Sequence, residues 1–68
     1  MRFHRMGKWY EQSDCGGYTV AAAKVGGEIM YSAFRVRPHQ VGLLLHTCAD
    51  ADACRQVCRD HDAKRRGA

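Results

Sequence analysis

The sequence predicts an α+β domain in which a three-stranded antiparallel meander, extendable to a short fourth strand near Leu43–Leu45, packs on one C-terminal α-helix. Three observations carry this prediction. Two β-prone apolar runs, Tyr18–Val25 and Glu28–Val36, are separated only by Gly26-Gly27, the strongest short-range hairpin signal. An aromatic pair, Trp9-Tyr10, stands one turn-forming segment upstream of that hairpin. From about Cys48 to about Arg65, small and apolar residues return at helical spacing.

In chain order, residues 1–7 read as a flexible N-terminal arm ending at Gly7, and residues 8–68 as a single β-β-β-α domain. Lys8–Ser13 suits a first strand, and Asp14-Cys15-Gly16-Gly17 supplies a turn tolerant of positive φ. A four-residue loop there sets Ser13 opposite Tyr18, which places Trp9 on the Val20 face and Tyr10 on the Phe34 face. The two-glycine turn sets Val25 opposite Glu28, Ala23 opposite Met30, Val20 opposite Ala33 and Thr19 opposite Phe34. Pro38 ends this sheet, because it cannot donate to a ladder and holds Arg37 extended. Val41–His46 then reads as an extended segment, with at least two of its leucines turned into the core.

Thr47 reads as the helix N-cap, with Asp50 in the capping-box position and Asp52 in the positive first turn. Ala51, Cys54, Val57, Cys58 and His61 form one narrow stripe, leaving Arg55, Arg59, Asp60 and Asp62 outside it. Lys64-Arg65-Arg66 complements the helix C-terminus, and Gly67 closes it. A stripe of Ala and Cys fits a trough, and the face carrying Val20, Ala22, Ile29, Tyr31 and Ala33 offers one. The helix is expected there, with Val20, Ile29 and Tyr31 fully buried at about 1.5–3 kcal/mol each.

Sixty-eight residues make one domain with a small core, so self-association is a real partner class. Nothing in the chain suggests an enzyme pocket, and a non-enzymatic binding role without a cofactor is favoured. Eleven Lys and Arg against seven Asp and Glu give a net charge of +4, which favours polyanions or acidic protein surfaces. There is no apolar run long enough for a signal peptide or a membrane span, so the chain reads as cytoplasmic, with no membrane contact and with its four cysteines as thiols.

Cys54, Cys58 and His61 share a helix face, and His46 or Cys48 offers a fourth zinc ligand, but zinc modules normally place a cysteine pair on a turn. Buried structural thiols are the preferred reading, with a metal-stabilised domain as an alternative. Cys15 lies in a turn with no motif around it, and neither glycine pair opens a helix as a phosphate loop does. The main functional signal is the second sheet face. Tyr10, Phe34 and Met30 fall there, and Arg35, Arg37 and Lys24 are expected to border them as a basic rim. Arg35 has the other face's parity and reaches this rim only by swinging around the sheet edge. Aromatics beside cations suit single-stranded RNA or DNA, and an aromatic anchor equally suits a protein contact or a homodimer.

The order Trp9-Tyr10, Gly17-Tyr18-Thr19-Val20, the Gly26-Gly27 turn, Tyr31-Ser32-Ala33-Phe34, then Thr47 opening an Ala/Cys-striped helix through Cys58-x-x-His61, resembles the small β-β-β-α proteins encoded in phages and prophages. The resemblance covers most of residues 9–61 and rests on fold marks. It implies an inhibitor of host defence of the anti-CRISPR kind, acting in a bacterial host cell by binding a surface of an RNA-guided Cas effector complex. It carries over no functional residue. Two expectations therefore stand side by side: a protein-binding inhibitor of that kind, and a small basic nucleic-acid-binding module using the aromatic sheet face.

Overall fold

Residues 1–67, which the computed structural model describes, hold five strands and one helix: β1 (Phe3–Arg5), β2 (Tyr10–Ser13), β3 (Tyr18–Val25), β4 (Glu28–Arg35), β5 (Leu43–Cys48) and α1 (Ala51–Gly67). The strands form one antiparallel sheet in the order β1-β2-β3-β4-β5, each paired with its neighbours in sequence. The α+β class and the meander agree with the sequence prediction, but the strand count is five rather than three or four.

Gly26 and Gly27 have φ of 57° and 86°, the left-handed pair that a two-residue hairpin turn requires and that glycine adopts without steric cost. The β3–β4 register follows as predicted, with Val20 opposite Ala33 and Thr19 opposite Phe34. The β2–β3 register also agrees, with Tyr10 opposite Ala21 and Gln12 opposite Thr19. Ser13 locks the loop between them. Its Oγ accepts the Tyr18 amide at 3.1 Å, and its carbonyl accepts the Gly16 amide at 2.9 Å.

Residues 1–7 carry the additional strand. Phe3 pairs with Ser13 and Arg5 with Glu11. Phe3 packs at the border of the core, and the Arg59 guanidinium lies over its ring at 5.8 Å. Burial of one aromatic thus orders a segment whose sequence shows no strand periodicity.

The helix cap also differs from expectation. Thr47 belongs to β5, where its hydroxyl meets Ser32 Oγ at 3.2 Å. Asp50 caps α1 instead: its Oδ1 accepts the Asp52 amide at 3.0 Å and its carbonyl accepts the Cys54 amide at 3.3 Å. A β-branched residue suits the strand, and Asp outranks Thr as a cap, so the boundary falls three residues later.

The helix packs on the predicted face. Cys54 and Cys58 are fully buried against Tyr18, Val20 and Ala33, with Met1, Phe3, Tyr31, Leu45 and Cys48 around them. Cys54 Sγ meets the Tyr31 carbonyl at 3.4 Å and lies 3.6 Å from Cys48 Sγ. Burial pushes both helix thiols up, each to about 11, with the contact to Cys48 adding to the effect at Cys54. Two residues assigned outside the helix stripe are drawn inward. Arg55 forms a two-pronged ion pair with Glu11 of β2 and also binds Asp52. Asp62 is buried, with Arg65 and Arg66 of its own helix on its two oxygens at 3.1 Å each.

Burial at the hairpin end falls short of expectation. Val20 is buried, but Tyr31 is half-buried and Ile29 is 44% exposed. Because α1 begins at Ala51, its first turn reaches Tyr31, and the β3–β4 hairpin continues beyond it. At β5, one register shift between Ala33 and Phe34 leaves Leu44 opposite Phe34 and His46 opposite Ala33, so Leu45 is the leucine that packs on the core.

Candidate functional site

The face opposite α1 is built almost entirely from uncharged side chains. Register and pleat place Tyr10 and Gln12 of β2, Thr19, Ala21 and Ala23 of β3, Met30, Ser32 and Phe34 of β4, and Leu44 and Thr47 of β5 on this side. In these strands Glu28, beside the hairpin turn, is the carboxylate among them. The β3 lane is all small residues, while β2 and β4 on either side carry Tyr10, Met30 and Phe34. The result is a shallow trough roughly 10 Å across, two strand spacings wide.

Tyr10 is 48% exposed, and its ring lies over Gly7, where an added Cβ would come within 2.9 Å of the ring. Glycine in the β1–β2 connection therefore sets the position of this tyrosine. Phe34 is half-buried, with Leu44 opposite it on β5 and Gly42 beside its Cβ.

The six residues singled out from the sequence divide into two groups. Tyr10, Met30 and Phe34 come together on the open face. Two of the three cations, Arg35 and Lys24, do not join them. Arg35 keeps its strand parity: its guanidinium lies 5.7 Å from the centre of the Tyr18 ring on the helix side and donates to the Tyr18 hydroxyl at 3.4 Å. Burial of Tyr18 offers that cation an aromatic face and an acceptor, which the sheet edge does not. Lys24 pairs with Ile29 and shares the helix-side parity at the hairpin end. Arg37 spans the loop after β4, donating from Nε and Nη2 to the Val41 carbonyl at 3.3 and 2.9 Å.

A second surface, not anticipated from the sequence, lies on the helix side where α1 stops short. Trp9, Ala22, Ile29, Tyr31 and Ala51 line a groove of about 410 Å³, with Arg5, Lys8 and the Arg55–Glu11 pair at its edges. Trp9 is 45% exposed, and Lys8 Nζ stands over its ring at 5.4 Å. Its place on this face follows from the β2 register. Its exposure follows from the late start of the helix, so the signal that would have revealed the groove was the cap at Asp50.

The chemistry-bearing side chains of the helix have other partners. His61 Nδ1 meets the Tyr18 hydroxyl at 2.8 Å, with the two rings edge to face. Cys54 and Cys58 point into the core. Cys15 is exposed in the β2–β3 turn, and its thiol is held below its ordinary pKa, first by the hydrogen bond from Ser13 and then by the Gly17 backbone. Among the described residues no group of three or more His, Cys, Asp and Glu side chains is arranged to hold a metal ion, and no helix is long and apolar enough to cross a membrane. Comparison with models of known protein families, with curated proteins and with solved structures found no match.

Proposed function

We propose that the chain is a small non-enzymatic binding protein that holds a protein partner in the β3 trough, between Tyr10 on one side and Met30 and Phe34 on the other. The observation that carries this reading is the separation of aromatics from cations. Single-stranded nucleic acid needs phosphates neutralised beside the stacking rings. Here Arg35 and Lys24 are on the helix side, and Arg37 is tied to the Val41 carbonyl. An uncharged trough with an exposed tyrosine and a half-buried phenylalanine matches instead the anchor-and-surround pattern of protein interfaces.

The partner class favoured by the resemblance to small phage-encoded β-β-β-α proteins is an RNA-guided Cas effector, which makes the chain an inhibitor of the anti-CRISPR kind. The test has two arms. In bacteria with an active CRISPR–Cas system, expression of the chain should restore plating of a targeted phage, and the purified chain should bind the purified effector. Tyr10→Ala and Phe34→Ala should each weaken that complex by about 2 kcal/mol or more, roughly thirtyfold, with little change on raising salt. Unchanged plating and no complex remove the Cas reading. A complex indifferent to both substitutions removes the trough. Binding that instead falls steeply with salt and is abolished by nuclease favours the nucleic-acid module.

A further inference from the structure

Cys48 is the last residue of β5, and Cys54 stands in the first turn of α1. The fold brings their sulfurs to 3.6 Å. Each backbone anchor is fixed independently. Cys48 is paired with Tyr31 in the sheet, and Cys54 donates its amide to the Asp50 carbonyl at the start of the helix. The Cys48 thiol donates to the same Asp50 carbonyl at 3.2 Å, and the Cys54 thiol to the Tyr31 carbonyl at 3.4 Å. With a backbone acceptor for each thiol proton, the two sulfurs face one another directly. Closing the gap from 3.6 Å to the about 2.05 Å of a disulfide is a movement of about 1.5 Å, within reach of side-chain rotation.

The other two thiols lack this geometry. Cys58 lies one helical turn beyond Cys54, and the two side chains emerge side by side into the core rather than toward each other. Cys15 sits in the β2–β3 turn beside Met1, Asp62 and Arg66, with Ser13 as the partner of its sulfur. Access is graded within the close pair: Cys48 is half-buried, whereas Cys54 is fully buried.

We propose that Cys48 and Cys54 are a thiol–disulfide site, oxidised by low-molecular-weight disulfides to a bond that ties the end of β5 to the first turn of α1. Cys48 reacts first. Its thiolate attacks one sulfur of the small disulfide, forming a mixed disulfide and releasing one small thiolate. Cys54 then gives up its proton, and its sulfur attacks that of Cys48, breaking the mixed disulfide and releasing the second small thiolate. The two released thiolates take up the two protons, so the protein pair loses two electrons and the small disulfide gains them.

The bond acts where the helix begins. Ala51 and Arg55, on either side of Cys54, form the helix wall of the groove lined by Trp9 and Tyr31. Closing a loop across the Asp50 cap holds that wall on the sheet and removes freedom from the unfolded chain. Both sulfurs lie on the helix side, so the inference does not depend on what occupies the trough.

The test incubates the folded full chain with glutathione disulfide in excess over reduced glutathione, quenches with acid, and alkylates the remaining thiols in denaturant. Cleavage at Asp50, Asp52 and Arg55 puts Cys48, Cys54 and Cys58 on separate peptides for mass spectrometry. The expected product joins the Cys48 and Cys54 peptides through a bond that dithiothreitol opens, with Cys58 alkylated. Free thiols at both positions overturn the proposal, as does a reaction that stops at a mixed disulfide on Cys48, or a Cys48 bond to Cys15 or Cys58. The same oxidation in urea should spread bonding to Cys58, and an identical set of products with and without the fold would show that chain spacing rather than structure selects the pair. Folded Cys54→Ser should stop at the mixed disulfide on Cys48. The oxidised chain should unfold at a higher urea concentration than the reduced chain, and a lower midpoint overturns the proposal by showing that the fold does not accept the bond.

Discussion

The Tyr18 hydroxyl lies 2.8 Å from His61 Nδ1, joining the start of β3 to the last turns of α1 across 43 positions of sequence. Tyr18 is fully buried, and the Arg35 guanidinium stacks on its ring from β4. Three elements therefore meet at one phenol, at the end of the core remote from the open groove.

Tyr18→Phe keeps the ring and removes the hydroxyl, so it should destabilise the fold by about 1–2 kcal/mol in urea denaturation, the cost of a buried hydrogen bond whose partner is left behind. His61→Ala should show a coupling with Tyr18→Phe in a double-mutant cycle. Additive effects would mean that the hydroxyl and the imidazole do not stabilise one another.

Asp50→Ala should cost about 1 kcal/mol and lower the helical signal, because Asp50 supplies the capping acceptor for Asp52. Thr47→Val should leave helicity unchanged, since Thr47 is a strand residue paired with Ser32. A larger helical loss from Thr47→Val would move the helix start back toward Cys48.

The exposed thiol should react before the two buried ones. Cys15 is exposed and its pKa is lowered, whereas Cys54 and Cys58 are buried and pushed up to about 11. The thiolate is the attacking species, so brief iodoacetamide treatment near neutral pH should label Cys15 first, as mapped by peptide mass spectrometry. Comparable early labelling of Cys58 would show α1 leaving the sheet on that timescale.

Cys58, together with Cys54, also sets an alkaline limit on the fold. Its thiol has an ordinary value of 9.0 and is raised to about 11 in the folded chain. Between these values the folded state keeps a proton that the unfolded state has released. The stability contribution is therefore complete below about pH 9 and is lost as pH rises toward about 11, at up to about 1.4 kcal/mol per pH unit. Cys58→Ala should cost about 1–2 kcal/mol at neutral pH, as a small cavity. Its stability should then fall less steeply than that of the unmodified chain between pH 9 and about 11 in urea titrations. Parallel curves would mean that another group sets the alkaline limit.

The parts of the fold legible in the sequence were those fixed by local spacing. Gly26-Gly27 determines the β3–β4 register, the four residues Asp14–Gly17 determine the β2–β3 register, and the Cys54/Cys58 stripe selects the face that takes the helix. What escaped depends on competition between distant groups. Phe3 becomes a strand residue because the core and Arg59 cover it. Thr47 loses the cap to Asp50 because Ser32 claims it for the sheet. Arg35 stays on the helix side because a buried tyrosine across the sheet offers it a ring and an oxygen. The apolar half of the candidate site was therefore readable from alternation alone, and its cationic rim was not. Long cations go where tertiary partners are.

The unbroken strand order separates local from distant steps in folding. All five strands precede α1, and each pairs with a neighbour in sequence. A hairpin closes in about 1–10 μs, whereas α1 must dock back across the sheet, joining His61 to Tyr18 over 43 positions. Until it docks, Tyr18, Val20 and Ala33 lack their cover and face water. That interval is when the chain is most open to stray hydrophobic contacts.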